Sequence, residues 1–272
     1  MGAALSLRAV MASPTIEEMA ELLSSWLVQN EGDGPMKLNE RGRMNVFCFP
    51  PSAGYGLVYA EMARMLEAQY VVYAFDFIEG WRDYEEMLNR YVDAIVSVQR
   101  AAPYVLLGYS LGGSLAHEVA KAMERRGYAV SDILLIDADR RDRTMKKLSD
   151  EELERGVDDM LRIVAERDAS FLANRADREK ARTKILAYAT YSVQLVNEGT
   201  VGANLHAFVA EMKNARAADW KEATTEQAVD YELAGGHLDI FEPANIEHNV
   251  HAIRLVLQDI LRGGTLAADS VR

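Results

Sequence analysis

The 272-residue chain has one cysteine, fewer basic than acidic residues and no long apolar run. The single cysteine, Cys48, excludes an intrachain disulfide and favours a reducing compartment, and its apolar surroundings predict a packing role. A formal net charge of -12 argues against nucleic-acid binding. No run approaches the roughly 18 apolar residues that span a bilayer, and the N-terminus lacks a signal peptide. These absences predict a soluble, cytoplasmic protein.

Strand and helix patterns alternate regularly from residue 44 onwards. Short apolar runs predict strands at 44–49, 71–75, 104–107, 133–136, 205–209 and 228–233. Amphipathic patterns predict helices near 57–66, 84–100, from 114 to about 126, and 245–261. Alternation of this kind, with strands that are apolar throughout, predicts a mostly parallel sheet covered by helices on both faces. The fold class is therefore α/β, in one main domain.

One long segment between the later strands interrupts this alternation. From Arg140 to Asn204 there are helical patterns at 151–166 and 175–196 but no strand pattern. Such an insertion lies where a lid would lie, so we expect a helical lid at about 140–204. Before residue 44, a capping box predicts an amphipathic helix over 14–28, and a segment with glycine, proline and charges predicts a linker over 31–43.

A G-x-S-x-G pentapeptide runs from Gly108 to Gly112, between a predicted strand and a predicted helix. A serine at a sharp strand-to-helix turn needs small neighbours, because its backbone is strained and other chains pass close to it. This context predicts Ser110 as a nucleophile. An ordinary glycine-rich turn would be the alternative, but the flanking patterns and the acidic and histidine candidates downstream favour the nucleophile.

A serine nucleophile requires a base and a carboxylate that orients the base. His237 is the predicted base, because it follows Gly235 and Gly236 in a loop just after a strand pattern. The other four histidines are expected in the core or on the surface: His117, His206, His248 and His251. The last two are three residues apart, a spacing that could suit a metal, but no further ligand pattern supports a metal site. No metal is expected.

Asp137 is the first candidate for the acid, because it ends a strand and so lies at the carboxyl edge of the sheet. The chain order Ser110, Asp137, His237 is the order found in α/β-hydrolases. Asp139 and Asp142 are near but lie in a basic loop. Asp219, beside Trp220, remains the main competitor, since the acid follows a later strand in many hydrolases of this fold.

Stabilising an oxyanion requires backbone donors near the nucleophile. The N–H of Leu111, directly after Ser110, is one predicted donor. The second is expected in the turn-rich loop after the first strand, from Ser52 or Ala53, and the sequence leaves these two open.

With these residues in place, the chain resembles a type I thioesterase, the terminal release domain of nonribosomal peptide synthetases, of the surfactin-synthetase and valinomycin-synthetase kind. The resemblance covers roughly residues 44–262. It rests on Phe47-Cys48-Phe49-Pro50-Pro51, Gly54-Tyr55-Gly56, Ala74-Phe75-Asp76-Phe77-Ile78, the pentapeptide, Asp137 and Gly236-His237. It implies an α/β-hydrolase fold, Asp137 rather than Asp219 as the acid, and Ser52 as the second oxyanion donor.

A weaker similarity links residues 4–28 to the closing part of a peptidyl carrier domain. It implies a carrier remnant over 1–30, the linker over 31–43, a thioesterase domain over 44–265 and a tail over 266–272. The phosphopantetheine attachment motif is absent from this segment, so no cofactor is expected on the chain itself. The chain would be an excised, monomeric part of a multidomain synthetase, with the upstream carrier as its partner and the substrate delivered on the carrier's phosphopantetheine arm.

The resulting hypothesis is acyl transfer in two steps. Ser110 takes a peptidyl or depsipeptidyl chain from the carrier thioester, and the acyl-enzyme is then released by macrocyclisation, which can follow oligomerisation, or by hydrolysis. A lid that excludes water favours cyclisation. Two alternatives stay open, a free-standing editing (type II) thioesterase or serine esterase and a catalytically silent binding module. The sequence leaves the substrate and ring size undetermined.

Overall fold

The computed structural model describes residues 34–143, 149–167, 175–210 and 220–263. The predicted helix over 14–28, the carrier-like segment, the tail and Asp219 lie outside these residues. None of the described helices has the length and hydropathy that a membrane span requires.

The strands form one seven-stranded sheet in the order β1-β3-β2-β4-β5-β6-β7. Their bounds are β1 Met36–Lys37, β2 Met44–Phe49, β3 Tyr70–Ala74, β4 Tyr104–Tyr109, β5 Val130–Ile136, β6 Asn204–Val209 and β7 Ala228–Glu232. All neighbouring strands are parallel except β1, which pairs antiparallel with β3. The predicted α/β class with a mostly parallel sheet is confirmed.

Six α-helices accompany the sheet in the described part of the chain. They are α1 Ala60–Leu66, α2 Tyr84–Val98, α3 Leu111–Arg125, α4 Asp150–Arg167, α5 Arg175–Gln194 and α6 Ile246–Arg262. Short 3₁₀ turns occupy Gly56–Tyr59, Lys221–Ala223 and His237–Asp239. Apolar residues of α2 and α3 cover one face of the sheet, and those of α1 and α6 cover the other. Burial on both faces explains why the strands read as continuous apolar runs.

Two strands differ from the sequence prediction. The segment predicted as a linker, 31–43, contains the edge strand β1, which is only two residues long and carries no periodic pattern. Strand β5 begins three residues before the predicted start at 133, because polar Ser131 and Asp132 interrupt the apolar run. Asp132 is buried there beside His206, with 3.0 Å between its Oδ1 and the Nε2 of His206. Because this polar pair is buried between neighbouring strands, the start of β5 cannot be recognised from a run of apolar residues.

The insertion between β5 and β6 contains α4 and α5, as the sequence predicted. The two helices pack on each other. Tyr188 and Tyr191 of α5 are buried in the same apolar cluster as α2 and α3. The inner helix of the insertion is thus part of the core, while α4 lies outside it.

Candidate active site

Ser110 lies between β4 and α3 in a strained backbone conformation. Its φ is 56° and its ψ is -126°, a region that L-residues rarely adopt. The N–H of Ser110 donates to the carbonyl of Ile136 at 2.8 Å, which ties the turn to the end of β5. The abrupt change from strand to helix places the Ser110 side chain at the carboxyl edge of the sheet, as the pentapeptide predicts.

The flanking glycines of the pentapeptide are required by close backbone approaches. A Cβ at Gly108 would lie 2.1 Å from the carbonyl oxygen of Gly112. A Cβ at Gly112 would lie 2.4 Å from the carbonyl oxygen of Phe49 and 2.7 Å from that of Pro50. The first turn of α3 therefore passes directly against the loop that follows β2.

We expect Gly112→Ala to destabilise the fold by about 2 kcal/mol or more and to abolish most activity, because its new methyl group meets backbone that cannot rotate away. Gly156→Ala is the matched control. Gly156 is exposed within α4 and a Cβ there meets nothing within 4 Å. The control should gain about 0.5–1 kcal/mol from helix propensity. Chemical denaturation and turnover of a thioester, the substrate that the resemblance implies, would check both variants, and an active, stable Gly112→Ala protein would contradict the close approach.

Asp137 and His237 reach Ser110 from two other loops at the same edge. The Nε2 of His237 lies 3.0 Å from the Oγ of Ser110, and its Nδ1 lies 2.5 Å from the Oδ2 of Asp137. Asp137 is 4% exposed, whereas the His237 side chain is 43% exposed. The structure thus brings the three predicted side chains into one chain of contacts, with the carboxylate buried and the imidazole partly exposed.

Backbone contacts hold Asp137 in place. Its φ is 44°, its N–H donates to the carbonyl of Phe208 at 2.7 Å, and its Oδ1 accepts from the N–H of Ala210 at 3.3 Å. One carboxylate oxygen is therefore directed at the end of β6 and the other at the imidazole. The competing candidate, Asp219, lies outside the described residues.

The other histidines lie within helices and a strand rather than in the loops that carry Asp137 and His237. His117 is buried on α3, with 3.0 Å between its Nε2 and the carbonyl oxygen of Ala223, and His206 lies within β6. His248 and His251 lie on α6. Across the described ranges, no three His, Cys, Asp or Glu side chains come together as a metal site would require.

The predicted oxyanion donors come from two adjacent segments. Leu111 opens α3, and the loop after β2 turns sharply, with the N–H of Gly54 donating to the carbonyl of Pro51 at 2.8 Å. The approach of Gly112 to Phe49 and Pro50 sets these segments side by side. The roles of Leu111 and Ser52, or Ala53 in its place, stay predictions.

Helix α5 is fixed to this loop by residues that the sequence analysis did not single out. The hydroxyl of Tyr188 donates to the carbonyl of Pro50 at 2.9 Å, and its ring stacks on Phe77 at a centroid distance of 4.1 Å. Tyr191 is buried beside it. The alanine- and tyrosine-rich segment 175–196 thus packs these two tyrosines into the core.

A buried lysine of the same helix adds an ionic anchor. The Nζ of Lys184 lies 3.0 Å from a carboxylate oxygen of Glu79 and 3.6 Å from one of Asp76. Burial raises the pKa of Asp76, although Lys184 acts in the opposite direction. The insertion is thus held to the segment after β3 as well as to the loop after β2.

The basic loop after Asp137 is only partly available to a partner. Arg140 and Arg143 form ion pairs with Glu222 and Glu198. The Nε of Arg141 is shielded from solvent and has no hydrogen-bond partner among the described residues, and burial lowers the pKa of its guanidinium. The other two basic residues of the loop lie outside the described residues: Lys146 and Lys147. Ion pairs within the chain thus involve two of the five basic residues of this loop, Arg140 and Arg143.

Comparison with known proteins gives a family match over most of the chain. A family model described as "Thioesterase domain" matches residues 44–255. One subunit of mycosubtilin synthase from Bacillus subtilis is 38% identical over 261 residues, which is 96% of this chain and 10% of that protein. Tyrocidine synthase 3 of Brevibacillus parabrevis is 27% identical over 274 residues, which is 94% of this chain and 4% of that synthase.

A solved structure gives the same result. The thioesterase domain that cyclises the lipopeptide antibiotic surfactin is 30% identical, with a TM-score of 0.69. The superposition covers 79% of this chain and 92% of that domain. The chain therefore spans a tenth or less of the two synthases but matches nearly the whole of the solved domain.

Proposed function

The chain belongs to the thioesterase domain family, and we propose that it releases a peptidyl or depsipeptidyl chain from a carrier-bound thioester by macrocyclisation through an acyl-O-Ser110 intermediate. The observation that carries the proposal is the line of contacts from Ser110 through His237 to Asp137. In a thioesterase family member, these contacts supply the nucleophile, the base and the group that orients the base.

The first step transfers the acyl group to the enzyme. The Nε2 of His237 takes the Ser110 proton while Oγ attacks the thioester carbonyl, and the resulting oxyanion accepts hydrogen bonds from the N–H groups of Leu111 and Ser52. The protonated imidazole then gives its proton to the departing thiolate. The products of this step are the acyl-O-Ser110 ester and the free thiol, and Asp137 stabilises the imidazolium without changing its own protonation.

The second step releases the chain. A hydroxyl or amine at the far end of the acyl chain gives its proton to His237 and attacks the ester carbonyl, which restores Ser110 and forms a macrolactone or macrolactam. If water attacks instead, the product is a linear acid. The contact of α5 with Pro50 and its anchoring by Lys184 support the intramolecular route, because a fixed wall beside the oxyanion loop limits the access of water.

The relatives support delivery of the substrate by a carrier domain. The match to mycosubtilin synthase covers 96% of the chain and so extends well before residue 44, where the thioesterase family model begins. The shared sequence upstream of the domain favours a release domain within a synthase over a free-standing editing enzyme. It fits domain bounds of 1–30 for a carrier remnant and 44–265 for the thioesterase, with the phosphopantetheine arm belonging to the substrate.

The similarity to the surfactin thioesterase supports ring closure in particular. That domain cyclises a lipopeptide, and it matches this chain at 30% identity over nearly its whole length. A catalytically silent binding module would not require a buried carboxylate, an imidazole and a hydroxyl within contact distance of one another, so the arrangement favours catalysis.

The proposal is tested by mass spectrometry of products from a panel of soluble peptidyl thioesters that carry a terminal hydroxyl or amine. We expect cyclic products to exceed linear acids for at least one chain length. A wild-type protein that forms only linear acids from every substrate would overturn cyclisation but leave the thioesterase intact. A protein that consumes no thioester would overturn both.

A lid variant tests the role of the helical insertion. Val157 is a buried apolar residue of α4, which packs chiefly on α5. We expect Val157→Asp to loosen α4 and to lower the ratio of cyclic to linear product severalfold, because water reaches the acyl-enzyme more often. Glu151→Gln, at an exposed position on the same helix, is the control and should leave the ratio unchanged. An unchanged ratio in Val157→Asp would contradict a shielding role for α4.

A further inference from the structure

The hydroxyl of one buried tyrosine bridges the ends of two central strands. Strands β2 and β4 are paired in parallel as far as Phe49 and Gly108. At this end of the pair, the Tyr59 hydroxyl donates to the carbonyl of Phe49 at 2.5 Å and accepts from the N–H of Tyr109 at 2.9 Å.

This hydroxyl ties the carboxyl ends of β2 and β4 to each other and to the turn that carries Tyr59. Both strands end at this point. Phe49 leads into the loop that contains Ser52, and Tyr109 leads into Ser110 and Leu111. The two segments that diverge from the Tyr59 hydroxyl are therefore those that carry the proposed oxyanion donors.

The proton of the Tyr59 hydroxyl is directed at the carbonyl of Phe49. Tyr59 is fully buried, and burial raises the pKa of its hydroxyl well above the ordinary value. The proton therefore stays on the oxygen and remains directed at the Phe49 carbonyl, which leaves a lone pair for the N–H of Tyr109. The N–H of Gly56, at the start of the same 3₁₀ turn, donates to Asp76 Oδ1 at 2.9 Å and helps to fix the turn.

The ring of Tyr59 also reaches the loop that carries His237. It meets the edge of Phe241 at a centroid distance of 5.8 Å, and Phe241 meets Tyr109 at 5.4 Å. The ring of Tyr109 in turn lies 5.3 Å from that of His237. One side chain thus contacts the end of β2 and the strand that leads into the nucleophile, and through Phe241 it contacts the histidine loop.

We propose that Tyr59 is a positioning residue that sets the spacing between the two oxyanion donors by bridging the ends of β2 and β4. This inference rests on the proposed function. Without the hydroxyl, this bridge between the ends of β2 and β4 is lost, and the amides of Leu111 and Ser52 no longer fit the tetrahedral oxyanion.

The test is Tyr59→Phe, which removes the oxygen and keeps the ring. We expect kcat for a soluble peptidyl thioester to fall on the order of 10- to 100-fold, while KM changes less than about threefold, because the oxyanion forms only in the transition state. The affinity for a peptidyl boronic acid, whose serine adduct carries a tetrahedral anion, should fall by a similar factor. The end point of fluorophosphonate labelling counts active molecules, so all rates are expressed per labelled site.

Tyr104→Phe is the matched control. Tyr104 is a buried tyrosine at the opposite end of β4, and its hydroxyl donates to the carbonyl of Gln99 at 3.0 Å. It should alter kcat and boronic acid affinity by less than about twofold. Equal losses in the two variants, or a loss in Tyr59→Phe that appears only in KM, would overturn the proposal.

Failure to fold is also informative. If Tyr59→Phe gives no folded protein and Tyr104→Phe does, the hydroxyl is a structural requirement and the positioning role is wrong. Wild-type turnover of the thioester separates these outcomes from failure of the proposed thioesterase activity, which is wrong if the wild-type protein itself is inactive.

Discussion

Replacing Ser110 with alanine will reduce kcat for thioester release by about a millionfold and eliminate covalent labelling by a fluorophosphonate. The loss is large because the hydroxyl is the atom that bonds to the acyl group, and it is the group that lies 3.0 Å from the Nε2 of His237. Residual turnover of about 10³- to 10⁴-fold over water can persist, since the oxyanion donors and substrate binding remain.

Kinetics and mass spectrometry check this result together. Intact-protein mass spectrometry after fluorophosphonate treatment should show one adduct on the wild-type chain and none on Ser110→Ala. Ser97→Ala is the control, because Ser97 lies on the exposed side of α2 and its hydroxyl donates to the carbonyl of Ala94 in the same helix. Persistent labelling of Ser110→Ala would show that another residue is the nucleophile.

The strained backbone at Ser110 also predicts an effect of substitutions at this position on the free energy of unfolding. Glycine adopts a φ of 56° without the penalty that a Cβ incurs, so Ser110→Gly should be more stable than Ser110→Ala by about 1 kcal/mol. Both variants lack the hydroxyl and both should be inactive. Equal unfolding free energies would show that the turn is not strained.

Asp137→Asn has the second largest expected effect, a fall of about 10⁴-fold in kcat. The carboxylate accepts from the Nδ1–H of His237 across 2.5 Å, which leaves Nε2 free to accept the Ser110 proton. An amide at this position can donate to Nδ1 and so favours the tautomer in which Nε2 carries the proton. That tautomer cannot act as a base towards Ser110.

Asp139→Asn is the matched control, two residues further along the same loop, and should change kcat by less than about threefold. Asp219→Asn tests the competing acid and should likewise be mild. Thioester turnover and fluorophosphonate labelling rates would rank the three variants. A larger loss in Asp219→Asn than in Asp137→Asn would assign the acid to Asp219.

Local pattern predicted most of the fold. The six principal strands appear where short apolar runs lie between turn residues, and α2, α3, α4 and α6 follow amphipathic periods. Strand β1 and the first residues of β5 were missed because their stability comes from neighbours. Met36 and Lys37 have no pattern of their own and are ordered by pairing with β3. Asp132 is tolerated in β5 because His206 of β6 lies beside it.

Part of the candidate site could likewise be predicted from the local sequence, and part could not. The sequence alone determined the α/β class and the turn that presents Ser110, because glycine spacing and apolar runs act through neighbouring residues. It also named Asp137 and His237, since both follow strands that end at one edge of the sheet.

Only the tertiary structure decided which distant groups meet. Asp137 and His237 are 100 residues apart, and their contact depends on how β5, β6 and β7 lie side by side. The Tyr59 hydroxyl between β2 and β4, and the Tyr188 hydroxyl on Pro50, have no signature in the chain. A side chain's partner across a sheet is set by the twist and spacing of whole strands, which arise from packing of the entire domain, whereas a turn or a helix is set by residues a few positions apart.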